Sequence, residues 1–509
     1  MVENRVRTRN KTTKWNIFFH YISIFLMICS GVLLVPLYLK HISLPLYGAW
    51  LATGNVLIWI TVVDPGLSMV LQQKIASLYG AKDYKKIGAY ITSGLLLTLC
   101  ICTILLILGS VIYFLFPFIL NLPTSIDINL LKNCFLIALI GSTFLIFSYT
   151  VTAINQGLQS SKGIGLIYVV VVLSGIIISM ILLKHDFGLY SIAIVPLYSG
   201  VGLTFGNLIY LFWRCRTDQI PFVKSLEEFK GISKLVSFSF IGRLGGVISS
   251  NMDLFVIVKF LGPQNAALLN LTRKAPDMSK TFIERPVIAF IPSLAHLRGS
   301  GDQEKQVRIV VRLVYFLFWM IGLVLTGLMS FNDDFVNLWV GEKMFAGQKI
   351  SIIVSFTLLL TAITDSFGNI CVALGSVKKN SLVSLGQAIL SAFLIVIGAK
   401  YFGLIGVVVS PLIALLLFSS WLYPKHLISI MQLDKIIVKK LLVELAKILL
   451  STTILVMVFS QLKIFSWFGF VFFTSALTAI YFIILLFVSD TFRFETKKFI
   501  GNWKRGIKN

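Results

Sequence analysis

Along the 509 residues, runs of apolar side chains alternate with short polar connections. Many of these runs reach about 20 residues, the length a helix needs to cross the hydrocarbon core of a bilayer. Fourteen can be counted, near 14–39, 46–74, 88–117, 131–155, 163–183, 188–213, 235–260, 268–295, 308–331, 349–374, 381–399, 404–424, 439–460 and 464–489. The pattern predicts an all-α polytopic membrane protein with 14 transmembrane helices. Its connections are too short to hold a soluble catalytic domain.

The chain also repeats itself. Leu78-Tyr79-Gly80-Ala81-Lys82-Asp83 returns 219 residues later as Leu297-Arg298-Gly299-Ser300-Gly301-Asp302, and the same shift carries Lys40 to Lys259, Thr53 to Thr272, Ala76 to Ala295 and Lys86 to Lys305. Further on, Leu158 to Lys162 answers Leu374 to Lys378, and Gly188-Leu189 with Pro196 answers Gly403-Leu404 with Pro411, at offsets of 216 and 215. Two six-helix repeats therefore stand in tandem: an N-lobe over 1–213 and a C-lobe over 235–424. Residues 214–234 join them, and Ser225-Leu226-Glu227-Glu228-Phe229-Lys230 reads as a cytoplasmic amphipathic linker. Residues 425–509 add two more C-terminal helices, almost purely apolar, and a basic tail. Transporters commonly place a substrate site between two such repeats.

Composition agrees with a membrane chain: 57% of residues are hydrophobic, mean hydropathy is +0.90, and only 13% are charged. A soluble domain has an apolar share of about 45–50%. The net charge of +24 calls for no nucleic acid, because the basic residues alternate by side. Of the 45 Lys and Arg residues, 31 fall in alternate connections beginning at the N-terminus and eight in the others. By the positive-inside rule both termini are cytoplasmic, which requires an even number of spans. The remaining six basic residues, Arg243, Arg273, Lys274, Lys280, Arg285 and Lys447, lie inside spans. Arg5 to Lys14 ahead of the first apolar run reads as the start of an uncleaved anchor. The six cysteines show no paired spacing and the five histidines are scattered, so neither metal nor disulfide chemistry is expected.

Ionisable groups inside a membrane are costly and mark candidate functional positions. In the eighth span, Arg273, Asp277, Lys280 and Glu284 recur at four, seven and eleven residues, within about 60° of helical arc, and Lys274 and Arg285 sit on the neighbouring row. Four bases stand against two acids. Arg273 with Asp277 and Lys280 with Glu284 are i,i+4 partners and could pair locally, but the imbalance favours a hydrated face that attracts anions. The seventh span adds Arg243, Gly246, Ser250 and Asp253 on one side, a second polar face that could line the same cavity. In the second span, Asp64-Pro65-Gly66 predicts a kink, since proline removes a helix hydrogen bond. Asp64 could bind a coupling cation or proton, or accept hydrogen bonds from freed backbone groups. Asp365, Asn55, Asn155, Asn207 and Asn369 read as interior polar residues satisfied by their neighbours.

The tandem repeat, the run Pro292 to Asp302, and Tyr47-Gly48-Ala49-Trp50 followed by Asp64-Pro65-Gly66 resemble the multidrug/oligosaccharidyl-lipid/polysaccharide exporter superfamily over residues 14–424, most of all its polysaccharide branch of O-antigen and capsule flippases. The resemblance implies an inner-membrane protein that moves an undecaprenyl-pyrophosphate-linked oligosaccharide from the cytoplasmic to the periplasmic leaflet, alongside polysaccharide polymerase and chain-length machinery. A pyrophosphate suits Arg and Lys in a partly dehydrated cavity. The expected substrate residues are thus Arg243, Arg273, Lys274, Lys280 and Arg285, with Asp64, Asp253 and Glu284 as candidates for coupling to a sodium or proton gradient and no resident cofactor. Fourteen spans are also similar to the peptidoglycan-precursor flippase, whose last two helices help form a lipid groove. A multidrug exporter would favour a more acidic, aromatic cavity. A polysaccharide polymerase or ligase would be expected to carry a large periplasmic loop with Arg or His, and the longest outward connection, about 332–348, has neither.

Overall fold

Helix ends are the places where an apolar chain must supply its own hydrogen bonds, and several polar side chains do so here. Asp127, Ser225, Asp302, Asp434 and Ser466 each accept a backbone N–H from the first turn of the helix they precede. The computed structural model describes the backbone of residues 2–61, 67–119, 126–299 and 302–506, with several stretches of side chains, 54–60 and 235–251 among them, outside the description. The expected kink at Asp64 lies outside the described residues.

All regular structure among the described residues is helical. The first unit, Met1–Ala267, contains α1 (Val2–His41), α2 (Leu44–Thr61), α3 (Leu67–Ala81), α4 (Tyr84–Ile119), α5 (Ile128–Gly157), α6 (Ser161–Lys184), α7 (Tyr190–Thr217) and α8 (Leu226–Leu261). The short α9 (Pro263–Thr272) crosses into the second unit, Leu268–Asn509, which continues with α10 (Lys274–Gly299), α11 (Gln303–Val340), α12 (Gln348–Ala373), α13 (Val377–Leu417), α14 (Ser419–Met431), α15 (Lys435–Phe459), α16 (Trp467–Val488) and α17 (Asp490–Gly506). Among the described residues ten stretches are long and apolar enough to span a membrane. One of them, Lys378–Met431, is 54 residues long and turns at Gly403 (φ 60°, ψ −145°), so it holds two crossings. The α2–α3, α8 and α9–α10 segments bring the total to the fourteen that the hydrophobic pattern predicts.

Two boundaries differ from the sequence reading. Residues 226–234, expected as a separate linker helix, are the continuous first turns of α8, because Ser225 caps that helix directly. That helix, counted by the repeat with the second lobe, packs against α2, α3 and α4 of the first unit. The eighth span, expected as one helix, is broken at Arg273 into α9 and α10.

The duplication is visible in backbone geometry. Gln159 and Gly375 are equivalent by the 216-residue offset, and both take positive φ, 61° and 80°. Around them Ser160 N–H donates to Asn155 O at 3.1 Å and Ser376 N–H to Cys371 O at 2.9 Å, the same helix-ending bond. Gly188 and Gly403 also match, at φ 51° and 60°. Asp83 and Asp302 each accept an N–H three residues on, from Lys86 and Lys305, both at 3.1 Å.

In the first unit, α5 and α7 approach closely because Gly141 and Gly200 present no side chain where their backbones meet. Asn155 Nδ2 then crosses to Asn207 O at 3.0 Å. In the second unit, a core of α10, α11, α12 and α14 residues extends to the C-terminal pair α15–α16.

Candidate functional site

The charged residues of the eighth span begin where its helix breaks. Pro276 has no N–H to offer the carbonyl of Thr272 four residues earlier, so that oxygen must find another donor. Asn332 Nδ2, on α11, supplies it at 2.9 Å and also donates to Ser351 Oγ on α12 at 2.7 Å. Thr272 Oγ1 accepts from Ala346 N–H at 2.9 Å. The break is therefore braced from two sides, and α10 leaves it in a fixed direction.

Along α10 the expected i,i+4 pairs both form: Arg273 Nε to Asp277 Oδ2 at 3.0 Å, and Lys280 Nζ to Glu284 Oε1 at 3.2 Å. Lys280 has a second partner. Its Nζ lies 2.9 Å from Asp365 Oδ2 on α12. One ammonium thus sits between two carboxylates carried by different helices. Glu284 is largely covered, with 17% of its side chain exposed, whereas Asp365 is open at 45%. Half-buried Lys274 has no ion-pair partner among the described residues, and Arg285, next to Glu284, is also half-buried and engaged.

No protein-family model matches the sequence, and no curated protein does. Solved structures match over most of their length. The lipid II flippase MurJ in an inward closed conformation has a TM-score of 0.68 at 15% identity, covering 93% of this chain and 98% of that one. An inward-facing multidrug resistance MATE family transporter of the MOP superfamily gives 0.67 at 15%, covering 80% and 95%, and a Vibrio cholerae MATE transporter gives 0.55 at 17%, covering 85% and 99%. The chain has the fold of the MOP-superfamily transporters.

Within this MOP fold the candidate residues divide between the two units. Arg273, Lys274, Lys280, Glu284 and Arg285 stand together on α9–α10 of the second unit. Arg243 and Asp253 are on α8 of the first. The Arg243 side chain and all of Asp64 lie outside the described residues. Asp253 is half-buried and accepts the Leu254 N–H at 2.8 Å. Asp365 alters the charge balance expected from sequence: four bases face three acids, not two, so the cationic excess of the cluster is one charge. Among the described residues no group of three or more His, Cys, Asp or Glu is placed to hold a metal ion.

A second buried carboxylate was hidden in a stretch that reads as apolar. Glu444 on α15 is 5% exposed, accepts Trp319 Nε1–H from α11 at 2.9 Å and accepts the Ser489 hydroxyl. Tyr481 O–H, on α16, donates to Trp319 O at 2.8 Å. Glu444 ties α15 to α11 and to the joint between α16 and α17; the sequence signal for it was a lone acid three residues before Lys447 in an apolar run.

Proposed function

We propose that this protein is a flippase that carries undecaprenyl-pyrophosphate-linked oligosaccharide repeat units, of O-antigen, capsule or exopolysaccharide, from the cytoplasmic to the periplasmic leaflet of the bacterial inner membrane by alternating access. The observation that carries the proposal is the α10–α12 cluster in an otherwise apolar span of a MOP fold. Lys280 is a compact cation that a phosphate can claim from a carboxylate. Arg273, Lys274 and Arg285 extend the same row for a headgroup with more than one negative charge, and Arg243 is the candidate from the first unit. When a phosphate engages Lys280, Glu284 and Asp365 lose their counter-ion, and a sodium ion or proton can replace it. That makes Glu284, with Asp253 and Asp64, our candidate for gradient coupling. The distribution of Lys and Arg supports cytoplasmic termini, and polymerase and chain-length proteins are the partners that would use the delivered units.

The test is the location of lipid-linked glycan in cells lacking the protein, read with a membrane-impermeant glycan-modifying reagent. Complete units held on the cytoplasmic side support the proposal and name the cargo. Single units accumulating on the periplasmic side would place the protein after translocation.

One observation favours a second reading. The MurJ likeness takes in 93% of the chain against 80% for the inward-facing MATE transporter, which suits a peptidoglycan precursor as cargo. Accumulation of that precursor, rather than of a polysaccharide unit, would select it. The small cationic excess also keeps a multidrug exporter open, and organic-cation efflux by the purified protein would select that.

A further inference from the structure

The C-terminal helix α17 follows the apolar span α16 with only Ser489 between them. Ser489 is buried, and its Oγ accepts the Phe492 N–H at 3.0 Å. Arg493 folds back to donate to Leu486 O at 2.8 Å and Phe487 O at 3.0 Å, closing the carbonyl end of α16. Phe492 stacks edge-on against Trp319 at 5.0 Å and lies 5.8 Å from Phe482, and Glu495 pairs with Arg312 of α11 at 2.9 Å. These contacts hold one side of α17 on the end of the second unit.

Among the described residues the other side is exposed and of a particular kind. Phe494 is 64% exposed, and Lys497 and Lys498 are exposed beside it. At 100° per residue the two lysines fall about 60° and 40° on either side of Phe494, while Phe492 points roughly 160° away. An aromatic ring flanked by two ammonium groups is thus held within about two turns of the end of a membrane span.

We infer that this face of α17 binds the anionic lipid headgroups of the leaflet in which α16 ends, with Phe494 in the boundary between headgroups and acyl chains and Lys497 and Lys498 on lipid phosphates. Chain connection and charge complementarity choose the lipid over a soluble partner: α17 starts one residue beyond the span, which keeps its first turns beside the headgroups. The inference is independent of what the transporter carries.

The experiment is amide hydrogen exchange over residues 490–506 of the full-length protein, in nanodiscs of phosphatidylcholine alone and of phosphatidylcholine with phosphatidylglycerol. Two lysines at about 1 kcal/mol each near an anionic surface give an expected slowing of about 30-fold with phosphatidylglycerol. Lys497→Glu with Lys498→Glu should abolish that dependence, and Phe494→Ala should reduce it. The contacts of Phe492 and Glu495 are untouched in these variants, so an unchanged melting temperature serves as the folding control. Equal exchange in the two lipids would overturn the inference. So would lipid dependence that survives the double charge reversal, or protection found only in native membrane vesicles, which would indicate a protein partner.

Discussion

Lys280 on α10 and Asp365 on α12, 85 positions apart, are joined at 2.9 Å. This pair and the Glu284 contact hold in place the cation that the proposed function asks to receive a phosphate. Substrate must therefore compete with two carboxylates already present.

Removing the cation and removing the competitor should have opposite effects. Lys280→Met leaves Asp365 and Glu284 with no shared counter-ion, and glycan export should fall more than tenfold, about the effect of losing one charge-assisted contact. Asp365→Asn leaves Lys280 held by Glu284 alone and should improve apparent affinity by up to about fivefold, since a half-exposed pair contributes little. Arg273→Glu with Lys280→Glu should abolish flipping while insertion, read by membrane fractionation, stays normal. Wild-type export by that double mutant would exclude α10 as the headgroup site.

Coupling should appear at the same carboxylates. Collapsing the sodium and proton gradients in vesicles should stop transport, and Glu284→Gln should weaken its dependence on whichever ion drives it. Transport that continues after both gradients are removed would eliminate coupling altogether.

The carbonyl freed at the helix break is satisfied by one side-chain amide. Asn332→Ala leaves the buried Thr272 carbonyl without its donor and should cost about 1–3 kcal/mol. Asn332→Asp should cost more, because it turns an acceptor toward an acceptor. Melting of the detergent-solubilised protein measures both, and an unshifted midpoint would mean that water replaces the amide.

The stretches legible in sequence were those defined by sums over neighbours. The fourteen apolar runs and the offset that equates Gly188 with Gly403 reappear in the structure because each is read from the chain by itself, as a sum over neighbours or a comparison of two stretches. What the sequence withheld depends on contacts between distant positions. Asp365 could be seen as an interior acid, but its partner Lys280 is brought to it only by packing of α10 on α12. Pro276 was present to mark the break, yet a proline signals only a lost donor, and Asn332, which replaces that donor, lies 60 residues away. Glu444 was obscured because one acid scarcely alters the mean polarity of an otherwise apolar span.

The duplicated hairpins offer a stability test. No atom would obstruct a Cβ at Gly188 or Gly403, so any cost of substitution is conformational. Gly403→Ala should destabilise by about 1–3 kcal/mol, because its backbone is close to a region that essentially only glycine occupies. Gly188→Ala should cost about 1–2 kcal/mol. Gln159→Gly should be neutral or slightly stabilising, since Gln159 already carries the strain that its counterpart Gly375 avoids.

Glu444 predicts how the C-terminal pair is attached. Glu444→Ala leaves the Trp319 indole N–H and the Ser489 hydroxyl without their acceptor, which should loosen α15–α16 and speed proteolysis of the connection between them. Trp319→Phe should add little to that variant, because the two changes remove the same bond. Deleting residues 435–509 should end export if the pair forms part of the lipid path; unaltered export would exclude that role.

The single residue between α16 and α17 leaves no slack at that joint. Rotation of α16 about its axis, once the Phe492 and Glu495 contacts with α11 give way, swings α17 with it, and a 17-residue helix reaches about 25 Å. Its far end would then trace an arc across the membrane surface. The C-terminal pair thus carries a pointer whose bearing a surface probe can read while the spans themselves stay out of reach.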